Sequence, residues 1–435
     1  MLPYSRPSIN DDDIRAVVEV LRSDWLTTGP MIGRFERAVA DYVGTAEAVA
    51  VSSGTAALHA AVFALRIGPG DEVIVPAMTF AATANCVVYQ GATPVFADVD
   101  PQTLLIDPAQ AETRISPRTR AIIGVDYAGQ PCDAARLAAL ARKHGLALVA
   151  DASHSLGASD GGVRAGKLAD LSTFSLHPVK PITTGEGGLL VTDNAELAER
   201  ARRFRNHGIT TDHWQRATAG SWHYAMTDLG YNYRLTDLQA ALGLSQLARL
   251  DGWIARRQAI AERYDRAFTR LPGVCPLAVR PGVCHGRHLY VVRLGPGRTP
   301  HAPREGAPHA GSVGNALRSV PGSENSAVSP ATERHGGRSL QNPLEFGCYS
   351  PDSSAATASH RDAVFAALRA RGIGTAVHYI PVHLHLFYRE RFKTGPGLCP
   401  VAEAAYEEIL SLPIFPTMTD EDVDEVIAAM EQIHS

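Results

Sequence analysis

The sequence predicts an α/β protein whose core is a mostly parallel sheet covered by helices on both faces. Three observations predict it. From residue 46 onward, short apolar runs alternate with amphipathic helical patterns, as strand–helix–strand units require. Hydrophobic residues make up 45% of the chain and charged residues 20%, which are globular proportions. At 435 residues the chain can hold two domains, or one large domain with a smaller lobe.

Composition also excludes. A formal net charge of −4 argues against electrostatic nucleic-acid binding as the main role. No apolar run approaches the ~20 residues needed to span a bilayer, and the segment from Met1 to Arg6 lacks a signal-peptide core. The six cysteines are scattered without a C-x-x-C pair. That pattern suggests reduced thiols in a cytoplasmic protein, with no metal site and no disulfide frame.

In chain order, Asn10 can cap a first helix whose Asp11, Asp12 and Asp13 favour its positive end. Ile14, Val17, Val18 and Leu21 fall on one apolar face of that helix. The loop 24–30 ends in a Gly29-Pro30 turn, and its Trp25 suits plain packing or a sugar or nucleotide contact equally. Residues 48–51 read as a strand, 56–66 as a helix, 73–75 as a strand and 80–89 as a helix. Further strand runs lie at 95–97, 121–125 and 146–150, the last two separated by a helix at 134–144. Residues 288–294 read as a strand and 361–371 as a helix of a smaller C-terminal lobe.

In such sheets ligands gather beyond the carboxyl ends of the strands. Gly54-Thr55 opens a helix there, where free N–H groups and the helix dipole suit a phosphate, although an ordinary cap would look the same. Asp151 ends a strand, where a carboxylate can keep a pyridinium nitrogen protonated or simply cap a helix. His154 can reach the same ligand or be structural, and Phe80 can stack on a ring or pack.

The stretch 174–188 ties these together. A strand-like run at 171–176 delivers Lys180 into a polar loop, which passes through Gly187-Gly188 into the apolar run 189–191. A lysine that condenses with a carbonyl must be held rigidly and partly desolvated, so that free amine exists near neutral pH. The chain has only four lysines. Lys143 sits at a helix end, Lys167 in a glycine-rich loop, and Lys393 after an arginine-rich run. A phosphate turn, an aromatic, a strand-end aspartate and a lysine roughly 30 residues later match the chemistry of pyridoxal 5′-phosphate (PLP).

These residues carry a resemblance. Ser52-Ser53-Gly54-Thr55-Ala56-Ala57-Leu58, Pro76-Ala77-Met78-Thr79-Phe80, Asp151-Ala152-Ser153-His154, residues 174–188 and Gly230-Tyr231-Asn232-Tyr233-Arg234-Leu235-Thr236-Asp237 resemble the DegT/DnrJ/EryC1/StrS sugar aminotransferases over residues 1–294 and 359–435. Trp25-Leu26-Thr27-Thr28-Gly29, Asp126-Tyr127-Ala128-Gly129-Gln130 and Val377-His378-Tyr379-Ile380-Pro381 resemble the branch that forms UDP-4-amino-4,6-dideoxy-N-acetyl-β-L-altrosamine for pseudaminic acid. The resemblance implies PLP-dependent transferase fold type I, with a large PLP-binding domain at 1–265 and a small C-terminal domain at 266–435. It implies that Lys180 bonds the cofactor, Asp151 its ring nitrogen and His154 its phenolic side, with Phe80 stacked on the ring. Gly54, Thr55 and Ser175 would take the phosphate, joined by Asn232 from the other subunit of a homodimer. Tyr4, Trp25, Leu26, Thr27, Arg234, His378, Tyr379 and Pro381 would line the site for a UDP-linked 4-keto sugar, with L-glutamate as amino donor and 2-oxoglutarate as its product.

Residues 296–358 depart from the pattern. They are rich in Pro, Gly, Ser, Ala, Arg and His without sustained period, which predicts a disordered or foreign insert in the small lobe. Two rivals to the branch assignment stand: a transaminase for another keto sugar, and an inactive binding relative. A sugar 3-dehydratase of the same family is disfavoured, because that branch replaces the lysine that this chain keeps.

Overall fold

The computed structural model describes residues 1–211, 213–295 and 359–434. The expected insert at 296–358 lies outside the described residues. Seven strands build the main sheet: β1 Glu47–Val51, β2 Glu72–Pro76, β3 Thr93–Ala97, β4 Thr119–Val125, β5 Ala147–Asp151, β6 Leu171–Ser175 and β7 Gly188–Thr192. Their order is β1-β7-β6-β5-β4-β2-β3. All pairings are parallel except those of β7, which runs antiparallel to both β1 and β6. The sheet is therefore mostly parallel, as its continuously apolar strands require; every residue of β2 and β7 is buried.

The helix Gly54–Ala64 (GTAALHAAVFA) shows why sequence builds this layer. It is apolar all round, so it belongs inside rather than at a surface. It packs on β6 and β7 and between the helices Ala82–Tyr89 and Ala195–Phe204, burying nine of its eleven residues. Ser53 caps it by accepting the N–H of Ala56.

A second core lies against an antiparallel three-stranded sheet of β8 Val274–Pro276, β9 Tyr290–Leu294 and β10 Ile409–Leu412, in that order. The helices Leu250–Phe268, His360–Ala370 and Asp420–His434 contribute its side chains. The boundary expected between residues 265 and 266 falls inside the first of these helices.

Three local expectations need correction. Phe80 precedes its helix, which starts at Ala82. The strand expected from His288 starts at Tyr290, because the Leu289 N–H donates to the Ala128 carbonyl and not to a neighbouring strand. The first helix, Asp11–Leu21, forms with an Asn10–Asp13 capping box, but its apolar stripe is covered only in part, Val17 and Val18 being half-buried. Ile14 is 54% exposed and Leu21 57%. Asp13 is buried in its place, accepting hydrogen bonds from Ser245 and Gln246 and pairing with Arg249.

Candidate active site

The carboxyl ends of β1, β2, β5 and β6 converge on one edge of the sheet, and Lys180 lies beyond β6. Its loop is tied down by its own hydroxyls. Thr183 Oγ1 and the Thr184 N–H donate to the Leu176 carbonyl, and the Lys180 N–H donates to that of His177. Two glycines let the flanking backbones close up. A Cβ on Gly188 would sit 2.2 Å from the Ser53 carbonyl oxygen, and one on Gly54 would sit 2.8 Å from Ser175 Cβ. The turn Ser53-Gly54-Thr55 is thereby pressed against the end of β6. Ser53 already takes the N–H groups of Ala56 and Ala57, so those of Gly54 and Thr55 stand ahead of the first intrahelical bonds.

Asp151 is the last residue of β5 and is buried. Its Oδ2 accepts from Thr83 Oγ1 at 2.7 Å, and Thr83 is itself 2.7 Å from the hydroxyl of Thr79. Its Oδ1 accepts the Ser153 N–H at 3.2 Å. His154 is buried, its Nε2 3.1 Å from the Tyr379 hydroxyl, and its Nδ1 has no protein partner. Burial holds this imidazole well below its usual pKa, reinforced by Lys180 and His378, so it is neutral at working pH. Burial likewise pushes the Lys180 amine from 10.5 down to about 8, against the opposing pull of the Asp151 carboxylate. The other three lysines differ. Lys143 pairs with Glu112, Lys167 pairs with Asp193, and Lys393 is exposed.

The far wall comes from the small lobe and the N-terminus. His378 Nδ1 lies 2.8 Å from Ser411 Oγ, and the Tyr127 hydroxyl donates to the His378 carbonyl. The rings of Tyr4 and His378 are 5.7 Å apart, and those of Phe80 and Tyr379 are 5.9 Å apart. Ser5 donates to the Val179 carbonyl, which lays the N-terminal segment along the lysine loop. Pro381 is buried, and the next residue, Val382, donates its N–H to Ala77.

The remaining expected site residues gather elsewhere. Trp25 meets Trp214 edge-on at 5.0 Å, Thr27 bridges Thr236, and Leu26 is exposed. Arg234 extends beside β1 through a bridge to Val51 and donates to Asn206 Oδ1 at 2.9 Å. Asn232 is exposed, its backbone bridged to Asn206. A pocket of about 470 Å³ opens here, lined by Arg37, Arg202, Arg203, Arg205 and Arg234 together with Trp214. Sequence reading placed one of those arginines. The helix Ala195–Phe204 carries two others behind the polar pattern of an ordinary surface.

The chain matches the DegT/DnrJ/EryC1/StrS aminotransferase family over residues 7–304 and 322–431. It belongs to that family. The match reaches into the expected insert, leaving residues 305–321 uncovered between its two parts. The chain is 38% identical over 433 residues, 99% of its own length and 97% of the relative's, to the spore coat polysaccharide biosynthesis protein SpsC of Bacillus subtilis. Among solved structures it resembles the putative sugar aminotransferase Spr1654 of Streptococcus pneumoniae in its PMP form, with a TM-score of 0.81 and 30% identity, covering 100% of this chain and 99% of that one. It also resembles Helicobacter pylori PseC, an aminotransferase involved in the biosynthesis of pseudoaminic acid, with a TM-score of 0.79 and 29% identity, covering 100% and 99%.

The fold is that of the PLP-dependent sugar aminotransferases, fold type I, and the protein is a PLP-dependent nucleotide-sugar aminotransferase. The site fits that cofactor on its own geometry. A desolvated amine, a buried carboxylate, an exposed Phe80 ring and the unshared N–H groups beside Ser175 provide one partner for each end of PLP. Thr83 and His288 were missed by sequence reading. Thr79 lies before the helix that starts at Ala82, so no helical spacing linked it to Thr83, and for His288 no local signal existed.

Proposed function

We propose that this enzyme carries an amino group from L-glutamate to C4 of a UDP-linked 4-keto-6-deoxy-N-acetyl hexosamine on the route to pseudaminic acid. The observation that carries the catalytic half is Lys180, alone among four lysines in being desolvated at a strand end near a buried aspartate. PLP, when bound, supplies the electron sink. Asp151 would hold the ring nitrogen, its carboxylate oriented by Thr83 and the Ser153 N–H. Neutral His154 hydrogen-bonds the phenolic edge, Phe80 covers one ring face, and Gly54, Thr55 and Ser175 hold the phosphate. Lys180 Nζ would hold the carbonyl end of the cofactor, and its free amine is placed to move a proton between the reacting carbons. Tyr4, His378 and Tyr379 form the wall beside which the sugar lies.

The chain works, on this reading, as a cytoplasmic homodimer with a large lobe at 1–265 and a small one at 266–435. Trp25, Leu26, Thr27, Asn232 and Arg234 then serve the site of the partner subunit. The exposed apolar residues Ile14, Leu21, Trp222, Met226 and Leu229 support such a surface.

The likeness to PseC supports the C4 assignment. The higher identity to SpsC supports a second reading, the same chemistry on another nucleotide-linked keto sugar. Incubation with L-glutamate and defined 3-keto and 4-keto sugars linked to UDP or to a second nucleotide, with products assigned by mass spectrometry and NMR, separates the two. A 4-amino-4,6-dideoxy product is expected; amination at another carbon, or only of a sugar on another nucleotide, would overturn the first reading.

A further inference from the structure

We infer that Ser411 is a positioning residue for the sugar half of the reaction. Its hydroxyl donates to His378 Nδ1, so that the other ring nitrogen, Nε2, offers an N–H to an oxygen of the nucleotide sugar. The inference rests on His378 lining the wall beside which that sugar lies.

Ser411 is out of place as a packing residue. It sits in β10, Ile409–Leu412, whose other three residues are apolar and which is buried throughout. The serine is 1% exposed, and its side chain has one hydrogen-bond partner among the described residues, His378 Nδ1 at 2.8 Å. A hydroxyl in an apolar layer costs stability unless it is bonded, so this one bond accounts for the serine. Register brings the two residues together. Ala376 and Ser411 exchange both of their N–H···O bonds, which makes residue 378 a diagonal neighbour of Ser411. The Tyr127 hydroxyl also holds the His378 backbone, at its carbonyl.

Which atom donates follows from what each group can do. The serine hydroxyl has one proton, and Nδ1 is the only acceptor it meets among the described residues. A bond in the reverse direction, Nδ1–H to Oγ, would leave that hydroxyl proton buried and unpaired, the costlier arrangement. Burial pulls the His378 pKa down to about 4, so the ring is neutral at working pH and carries one proton. With Nδ1 accepting, that proton is on Nε2. The two nitrogens diverge across the ring, so with Nδ1 turned to the sheet Nε2 points away from it. His378 is only half-buried, and its ring stands 5.7 Å from that of Tyr4. Among the described residues Nε2 has no hydrogen-bond partner. An N–H held there needs an acceptor, and a nucleotide-linked keto sugar brings carbonyl, hydroxyl and phosphoryl oxygens.

Two variants of the full-length, cofactor-loaded enzyme test this. Ser411→Ala removes the donor, and Ser411→Cys fills the place with only a weak one. Each half-reaction is followed separately. L-glutamate first converts the cofactor to its amine form, and the return of absorbance is then measured against the concentration of whichever keto sugar the enzyme aminates. Both variants should need roughly three- to tenfold more sugar for half-saturation, the equivalent of one hydrogen bond, with the glutamate half-reaction within about twofold of wild type. Unchanged half-saturation in Ser411→Ala would overturn the inference. So would a Cys variant that behaves as wild type, which would assign Ser411 to packing, or an equal loss in both half-reactions. His378→Leu tests the reading beneath it. If that variant keeps the wild-type half-saturation, His378 does not touch the sugar and the reading of this wall fails instead.

Discussion

At the residue scale, Lys180 and Asp151 were legible because their chemistry is local: a strand delivers each to the same sheet edge, and few other lysines compete. His288 was not legible, since only the fold brings residue 288 to residue 180. The desolvation of Lys180 has a consequence for stability with a definite sign. Its folded pKa of about 8 lies below the ordinary 10.5, so between those values the unfolded chain binds a proton that the folded chain does not. Stability contributed by this group therefore rises with pH across the window and is lost as pH falls towards 8. Urea unfolding of the PLP-free protein at several pH values should show wild type gaining on Lys180→Met from pH 8 to 10.5. Parallel profiles for the two proteins would mean that the amine is solvated like any surface lysine.

At the element scale, the sheet was readable because parallel strands buried on both faces must be continuously apolar, and little else in a sequence looks like that. Helix faces were harder. The stripe Ile14, Val17, Val18 and Leu21 was a correct reading of period, but period does not say what covers a face, and in this chain Asp13 turns inward instead. The short helix Ala82–Tyr89 was foreseen as an element and its contribution to the site was not. Its Thr83 donates to Asp151 Oδ2, and Thr79 completes a chain of hydroxyls. Thr83→Val keeps the branched shape and removes the donor, leaving a buried carboxylate oxygen unpaired. That loss is worth about 1–3 kcal/mol, or roughly 5- to 150-fold in the glutamate half-reaction, where the charge on Asp151 matters most. Single-turnover loss of the cofactor absorbance at about 10 mM L-glutamate, roughly tenfold above the upper end of ordinary KM values, reads it directly. An unchanged rate with an unchanged melting temperature would remove Thr83 from the machinery.

At the scale of the whole molecule, the expected site residues fall into two groups. Lys180, Asp151, His154, Tyr4, His378 and Tyr379 gather around the lysine loop. Asn232, Arg234, Trp25 and Thr27 gather instead by the arginine-lined pocket, next to exposed Trp222 and Leu229. Symmetric pairing would reconcile them, since an isologous interface hands each group to the other subunit's site. Lys180→Ala and Asn232→Ala then damage the same site when carried by opposite chains, and different sites when carried by one chain. In a mixed dimer, one site contains both defects and the other contains neither. Random re-pairing of equal amounts should therefore restore about one intact site in four, against nearly none for either variant alone. Activity of the mixture should climb towards that level at the rate of subunit exchange, which native mass spectrometry of tagged chains follows independently. Exchange without recovery of activity would place Asn232 in its own chain's site, and with it the arginine-lined pocket would need a ligand other than the partner's substrate.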